Sequence, residues 1–163
     1  MVVVAVTGIL AAVSLSARAE DNPAELAKAL REASVSLDRG LKASEHEGKP
    51  ISGKFELEDG ALQLSVYTVK GGEFNEVIVD HKTGAIKKAE KITEADDLKD
   101  ANEQSQAMAK AKVSLDKAVE NAMKANSGYR AVSAMPALDA EEPVVNITLI
   151  KGEDVKKVTE KLD

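Results

Sequence analysis

The stretches "VSLDRGLKAS" (Val35–Ser44) and "VSLDKAVENA" (Val113–Ala122) write nearly the same ten letters 78 positions apart. At that offset Ser36 matches Ser114, Leu37 matches Leu115, Asp38 matches Asp116 and Leu41 matches Val119. Self-similarity at a fixed spacing marks a repeated supersecondary unit. Each match also has a local physical reason. Ser36 and Ser114 are expected as helix N-caps, their hydroxyls accepting from free backbone N–H groups of the first turn. Asp38 and Asp116 fall in that turn, where a negative charge meets the positive end of the helix dipole. Leu37, Gly40, Leu41 and Ser44 lie at i, i+3, i+4 and i+7, as do Leu115, Ala118, Val119 and Ala122. Large residues alternate with small ones on a single stripe, which suits close approach to a sheet. Gly48 and Gly128 are expected to stop the two helices.

Upstream of both copies the chain is Ala-rich and helical in pattern, in "PAELAKALREA" (Pro23–Ala33) and "ANEQSQAMAKAK" (Ala101–Lys112). Downstream the period changes to two. In "KFELEDGALQLSV" (Lys54–Val66) apolar residues alternate with charges around Asp59–Gly60, a strong hairpin signal. "FNEVIVDHKTGAIKKAEKI" (Phe74–Ile92) reads as a second hairpin, its turn framed by Asp80 and Gly84. "VVNITLIKGEDVKKVTEKL" (Val144–Leu162) reads as a third, turning at Lys151–Gly152. "VKKVTEKL" (Val155–Leu162) echoes "IKKAEKI" (Ile86–Ile92) at a spacing of 69, so the later unit is expected to be shorter in its middle strands. The expected fold is α+β: two tandem units, each a helical layer on an antiparallel sheet.

This order of signals resembles a PepSY domain. The resemblance rests on "SLDRGL" and "SLDKAV", on the alternating "LSVYTV" (Leu64–Val69), and on "VIVDHKTGAI" (Val77–Ile86), which is similar to the family's V-x-V-D-x-x-T-G-x-V signature. One unit then covers 24–92, a helical linker covers 93–106, and a divergent second unit covers 107–163, with "LIKGED" in place of the D-x-x-T-G turn. The resemblance implies an export-associated α+β module and a role in restraining peptidases, as zymogen propeptides do.

Composition and the N-terminus bear on the same question. At 44% hydrophobic and 31% charged, the chain has a globular composition, and a formal charge of −6 disfavours a nucleic-acid partner. Without cysteine there is no disulfide, thiolate nucleophile or Cys-based metal site. "VVVAVTGILAAVSL" (Val2–Leu15) has the length of a signal-peptide core, and Ala17 and Ala19 form an A-x-A cleavage site. Residues 1–19 are therefore read as a signal peptide. The mature chain is read as periplasmic or secreted, without stable membrane insertion.

No chemistry-bearing motif stands out. Asp80 is expected to hold its turn through backbone N–H groups, with Gly84 supplying a left-handed conformation. His46, between Glu45 and Glu47, does not converge with them on one metal from a helix. "EADD" (Glu94–Asp97) and "DAEE" (Asp139–Glu142) lack the ligand spacing of a calcium loop and read as solvated linker and loop. Nucleophile-elbow, phosphate-loop and zinc-helix templates are absent, so the chain is read as non-enzymatic and without a cofactor. Val77, Ile78 and Val79 are all apolar, so both faces of that strand need cover. Tyr67, Phe74, Ile78 and Tyr129 are the candidate interaction surface, since aromatic side chains dominate binding hot spots. The expected partner is a protein, with an envelope peptidase as one candidate and a second copy of the chain as another. The rival readings are a self-associating envelope protein and a metal-responsive module using His46 and His81.

Overall fold

The computed structural model describes Asn22 to Asp163; the stretch read as a signal peptide lies outside the described residues. The elements run α1 (Pro23–Ala29), α2 (Leu37–Ala43), β1 (Lys49–Glu58), β2 (Ala61–Lys70), β3 (Glu73–Val79) and β4 (Ile86–Lys91). They continue through α3 (Ala95–Lys110), α4 (Leu115–Ala125), β5 (Arg130–Asp139), β6 (Glu142–Lys151) and β7 (Asp154–Lys161). The strands form one seven-stranded sheet in the order β4-β3-β2-β1-β5-β6-β7, antiparallel at every step. The fold is α+β.

The apolar stripes of α2 and α4 behave as their spacing predicts. Leu37, Gly40, Leu41 and Ser44 are buried, as are Leu115, Ala118, Val119 and Ala122. α2 rests directly on the sheet because two glycines remove side chains from the contact. A carbon added at Gly40 would stand 2.6 Å from Leu64 Cδ2, and one at Gly53 would stand 3.0 Å from Leu41 Cδ2. α4 packs beside α2 and covers β5, β6 and β7.

The serines act differently from expectation. Ser36 and Ser114 occupy the N-cap positions, but neither hydroxyl caps; only their carbonyls engage, accepting from Gly40 N and Ala118 N at 3.0 Å. The chain entering each helix is anchored by its backbone instead. Ser34 N and Val35 N donate to His81 O, and 78 positions later Lys112 N and Val113 N donate to Leu162 O. Those two carbonyls follow the third strand of each half, so strand ends set the helix entry angle.

The strands recur at a spacing of 81. The β1–β2 ladder slips after Pro50 and the β5–β6 ladder slips after Ala131. Asp59 and Gly60 (φ 51° and 78°) turn β1 into β2, and Ala140 and Glu141 (φ 45° and 72°) turn β5 into β6, each pair left-handed as a type I′ turn requires. "DAEE" is thus the tip of a hairpin, exposed to solvent as expected. β5 and β6 are ten residues each, as are β1 and β2, so the middle strands are not shortened. β7 pairs with β6 as β3 pairs with β2, so the likeness of "VKKVTEKL" to "IKKAEKI" joins strands in unlike positions.

The boundary at 106/107 also falls inside an element. α3 is one helix of 16 residues whose Ala101, Ala107 and Met108 are buried, and it packs on β1, β5 and β6. "EADD" opens it, placing Asp96 and Asp97 at the positive end of its dipole. The first residues of β1 and β5 then reach across to the opposite half. Lys49 Nζ donates to Met108 O at 2.7 Å near the end of α3, and Arg130 Nη1 donates to Leu30 O at 2.5 Å just after α1. Met108 O lies in the last turn of α3, where carbonyls lack intrahelical donors, whereas Leu30 O accepts from Ala33 N at 3.1 Å as well as from Arg130.

The stripe makes a direct prediction. Leu37→Ala and Leu115→Ala should each destabilise the fold by about 2–5 kcal/mol in urea unfolding, the range for emptying a buried leucine site. Val155→Ala, at the exposed edge, should change stability by no more than about 0.5 kcal/mol.

Candidate functional site

Alternation along the strands divides the sheet into two faces. Leu64, Val66, Val77 and Val79 lie buried beneath the helices, together with Val145, Ile147 and Leu149. The other face is more polar and, among the described residues, only partly covered. Cross-strand pairing places Tyr67 opposite Glu76, Val69 opposite Phe74, and Ser65 opposite Ile78, all on this second face. Three of the four residues expected to form an interaction surface, Tyr67, Phe74 and Ile78, are therefore brought together, each half-buried. Tyr129 is not with them. It precedes β5 and donates its hydroxyl to the Asp154 carboxylate at the β6–β7 turn, with Lys151 Nζ 5.9 Å from its ring. That hydrogen bond, with lesser burial and charge effects, raises the Tyr129 pKa.

The polar centre of the second face comes from β1 and β2. Lys54 Nζ lies 2.5 Å from Glu56 Oε2, with side chains only 18% and 10% exposed. Ser65 donates to Glu56 Oε1 at 3.0 Å, and Gln63 Nε2 donates to Ser65 Oγ at 3.1 Å. Lys54 also stands 6.0 Å from the Tyr67 ring, whose hydroxyl donates to Glu76 at 3.2 Å. Both Glu56 oxygens are engaged, so the pair satisfies itself, as a buried ion pair must. The alternating charges around Phe55 were the available sequence signal for this cluster; its burial depends on neighbouring strands.

Two hollows flank this centre. On one side α3 crosses the face, where Ser52 Oγ donates to Gln104 Oε1 at 2.5 Å and Gln104 Nε2 approaches Met135 Sδ at 3.8 Å. Ser52, Lys54, Tyr67, Ala101, Gln104 and Met135 leave only about 100 Å³ there. On the other side a cleft of about 720 Å³ opens over β5, β6 and β7. Pro23 and Leu26 of α1 form its rim, and Met135, Thr148, Ile150 and Lys157 are among the side chains lining it.

The remaining expected residues have structural work. Asp80 Oδ1 accepts from Lys82 N at 2.8 Å and Thr83 N at 2.9 Å, while Lys87 Nζ lies 3.2 Å from Oδ2. Gly84 is left-handed at φ 81° and donates its N–H to Asp80 O at 2.8 Å. The backbone donors from Thr83 and Lys82, then Lys87, hold the Asp80 carboxyl well below its ordinary pKa. His81 contributes its carbonyl to the helix anchor, and His46 lies exposed at the end of the short turn Ser44–His46. Among the described residues no three His, Cys, Asp or Glu side chains gather as a metal site, and no helix is long and apolar enough to cross a membrane.

No protein-family model matches the chain, and no curated protein matches it. Among solved structures, a "putative lipoprotein" of Clostridium difficile 630 is similar at 16% identity and a TM-score of 0.41, over 75% of this chain and 80% of that one. At that level no property passes from one to the other.

Asp80 yields a pH prediction. A carboxyl with a depressed folded pKa adds stability above its unfolded value of 3.8 and loses it as pH falls through the folded value. Urea midpoints of the wild type and Asp80→Ala should differ at neutral pH, the wild type being more stable. The gap should close progressively as the pH is taken below 3.8.

Proposed function

We propose that the chain is an exported, non-enzymatic binding module of two tandem PepSY-like units, and that it holds a protein partner on the second face of its sheet. The tandem reading draws on the 78-residue spacing of α2 and α4 with their backbone anchors, and on the 81-residue spacing of ladder slips and turns. The Asp80–Gly84 turn has the architecture that the D-x-x-T-G resemblance implies. The binding reading is carried by one observation: the helices leave a 720 Å³ cleft on a face that mixes apolar and polar side chains. Partner sites on proteins share that mixture. The PepSY resemblance nominates an envelope peptidase as the partner class. With few aromatic anchors, affinity has to come from shape and backbone contact more than from hot spots.

A panel of purified envelope peptidases tests this reading by binding and inhibition. The expected result is saturable binding of at least one enzyme, weakened by Met135→Glu on the second face and unchanged by Lys117→Glu on the helix side. Absence of binding across the panel at micromolar concentrations removes the peptidase assignment. A second reading, self-association, is favoured by Val155, an apolar side chain 40% exposed on edge strand β7. Sedimentation showing only monomer at high protein concentration would exclude it.

A further inference from the structure

We propose that two copies of the chain join along β7, which pairs antiparallel with itself about a twofold axis at Val158 and runs both sheets on as one. This rests on the self-association reading and adds the strand, the register and the side chains that decide it. β7 takes the place in its half that β3 takes in the other, and β3 is flanked on its outer side by β4. The same side of β7 has no strand among the described residues. The two edges of the sheet also differ in charge. On β4 every lysine is matched within the chain: Lys87 lies 3.2 Å from Asp80, Lys88 2.8 Å from Glu90 and Lys91 2.6 Å from Glu73. On β7, Lys156 donates to Asn126 and Lys161 reaches Glu142. Lys157 and the half-buried Glu160 have no partner among the described residues. Val155, the one large apolar side chain exposed among them, lies on the same strand.

The register follows from charge. A twofold axis normal to the sheet keeps each side chain on its own face, so one residue of β7 must stand opposite its own copy. Lysines on an edge deter pairing where like charges meet across the ladder. Axes at Asp154, Lys156, Lys157, Glu160 or Lys161 oppose like charges at the centre, and one at Thr159 sets Lys157 against Lys161. An axis at Val155 overlaps only Asp154–Lys156. At Val158 the overlap runs from Val155 to Lys161, and no like charges meet. On the helix-bearing face Val158 then packs on its copy, and Lys156 stands opposite Glu160 on both sides of the axis, bringing the cation that this carboxylate lacks. On the second face Lys157 meets Thr159, whose hydroxyl donates to Asn146 and keeps lone pairs to accept. There the stem of Lys161 lies across Val155. One contact thus satisfies Lys157, Glu160 and Val155 together. Because faces are preserved, the two large clefts open on the same side of the joined sheet.

Sedimentation equilibrium of the full chain is expected to show monomers in exchange with dimers. Lys156→Glu and Glu160→Lys each set like charges opposite one another on both sides of the axis, and each should weaken the dimer roughly tenfold or more. Mixed in equal amounts, the two variants should associate with each other as the wild type does with itself, since each supplies the charge that the other has lost. A second measurement does not depend on charge. The chain has no cysteine, and residues directly opposite in an antiparallel pair lie about 4.5–5.5 Å apart at Cα, within reach of a disulfide. Val158→Cys should therefore cross-link into dimers under mild oxidation, and Lys87→Cys on β4 should not. Monomer alone at hundreds of micromolar overturns both this inference and the self-association reading. Dimers that both charge reversals leave intact, that the mixed variants fail to restore, or that cross-link through Lys87→Cys and not Val158→Cys overturn this inference alone.

Discussion

The structure depends on a seam two residue pairs long. β1 and β5 meet only where Gly53 faces Ala134 and Lys54 faces Ser133. Through those pairs a four-stranded and a three-stranded half become one sheet, so helices from both halves can share one core. The seam needs small residues, because the α2 leucines press onto it from above. A large side chain at Gly53 would lift α2 and unpack α4 beside it. So short a ladder contributes little alone, and most of the joining is done by what crosses it.

Two kinds of crossing contact complete the junction. α2 and α4 lie side by side over it, burying Leu37, Leu41, Leu115 and Val119 in a common cluster. Lys49 and Arg130 then exchange contacts, each opening a strand in one half and ending on a carbonyl of the other half's helical segment. Apolar burial supplies the larger share of cohesion, at about 25 cal/mol per Å² removed from water. The cation–carbonyl contacts are worth less but are directional, fixing where α1 and α3 sit relative to the sheet. That placement covers one end of the second face and, among the described residues, leaves the other open.

The helices over the core were legible because their signal is local. Stripe spacing, first-turn acids and glycine stops all concern residues within one or two turns of each other. The hairpins at Asp59–Gly60 and Lys151–Gly152 were legible for the same reason. β5 was not: "RAVSAMPALD" contains Pro136, which ordinarily argues against a strand. Pro136 is tolerated because it lies beyond the short seam, where no β1 ladder bond is required of its nitrogen. The role of α3 was hidden by its composition, since a polar helix with a few buried alanines resembles a linker until the sheet beneath it is known. Of the candidate surface, Tyr67, Phe74 and Ile78 follow from strand alternation, whereas the cleft arises from contacts between distant segments that no local pattern encodes.

The two type I′ turns tell different stories about how their hairpins close. Asp59–Gly60 is comfortable in a left-handed geometry, so that turn favours its strands before they have packed. Ala140 and Glu141 carry side chains that disfavour the same geometry by about 1–2 kcal/mol each, as L-residues do in the left-handed region. In the first hairpin the bend recruits the ladder. In the second the ladder holds the bend, and the chain around it must assemble from contacts more distant in sequence.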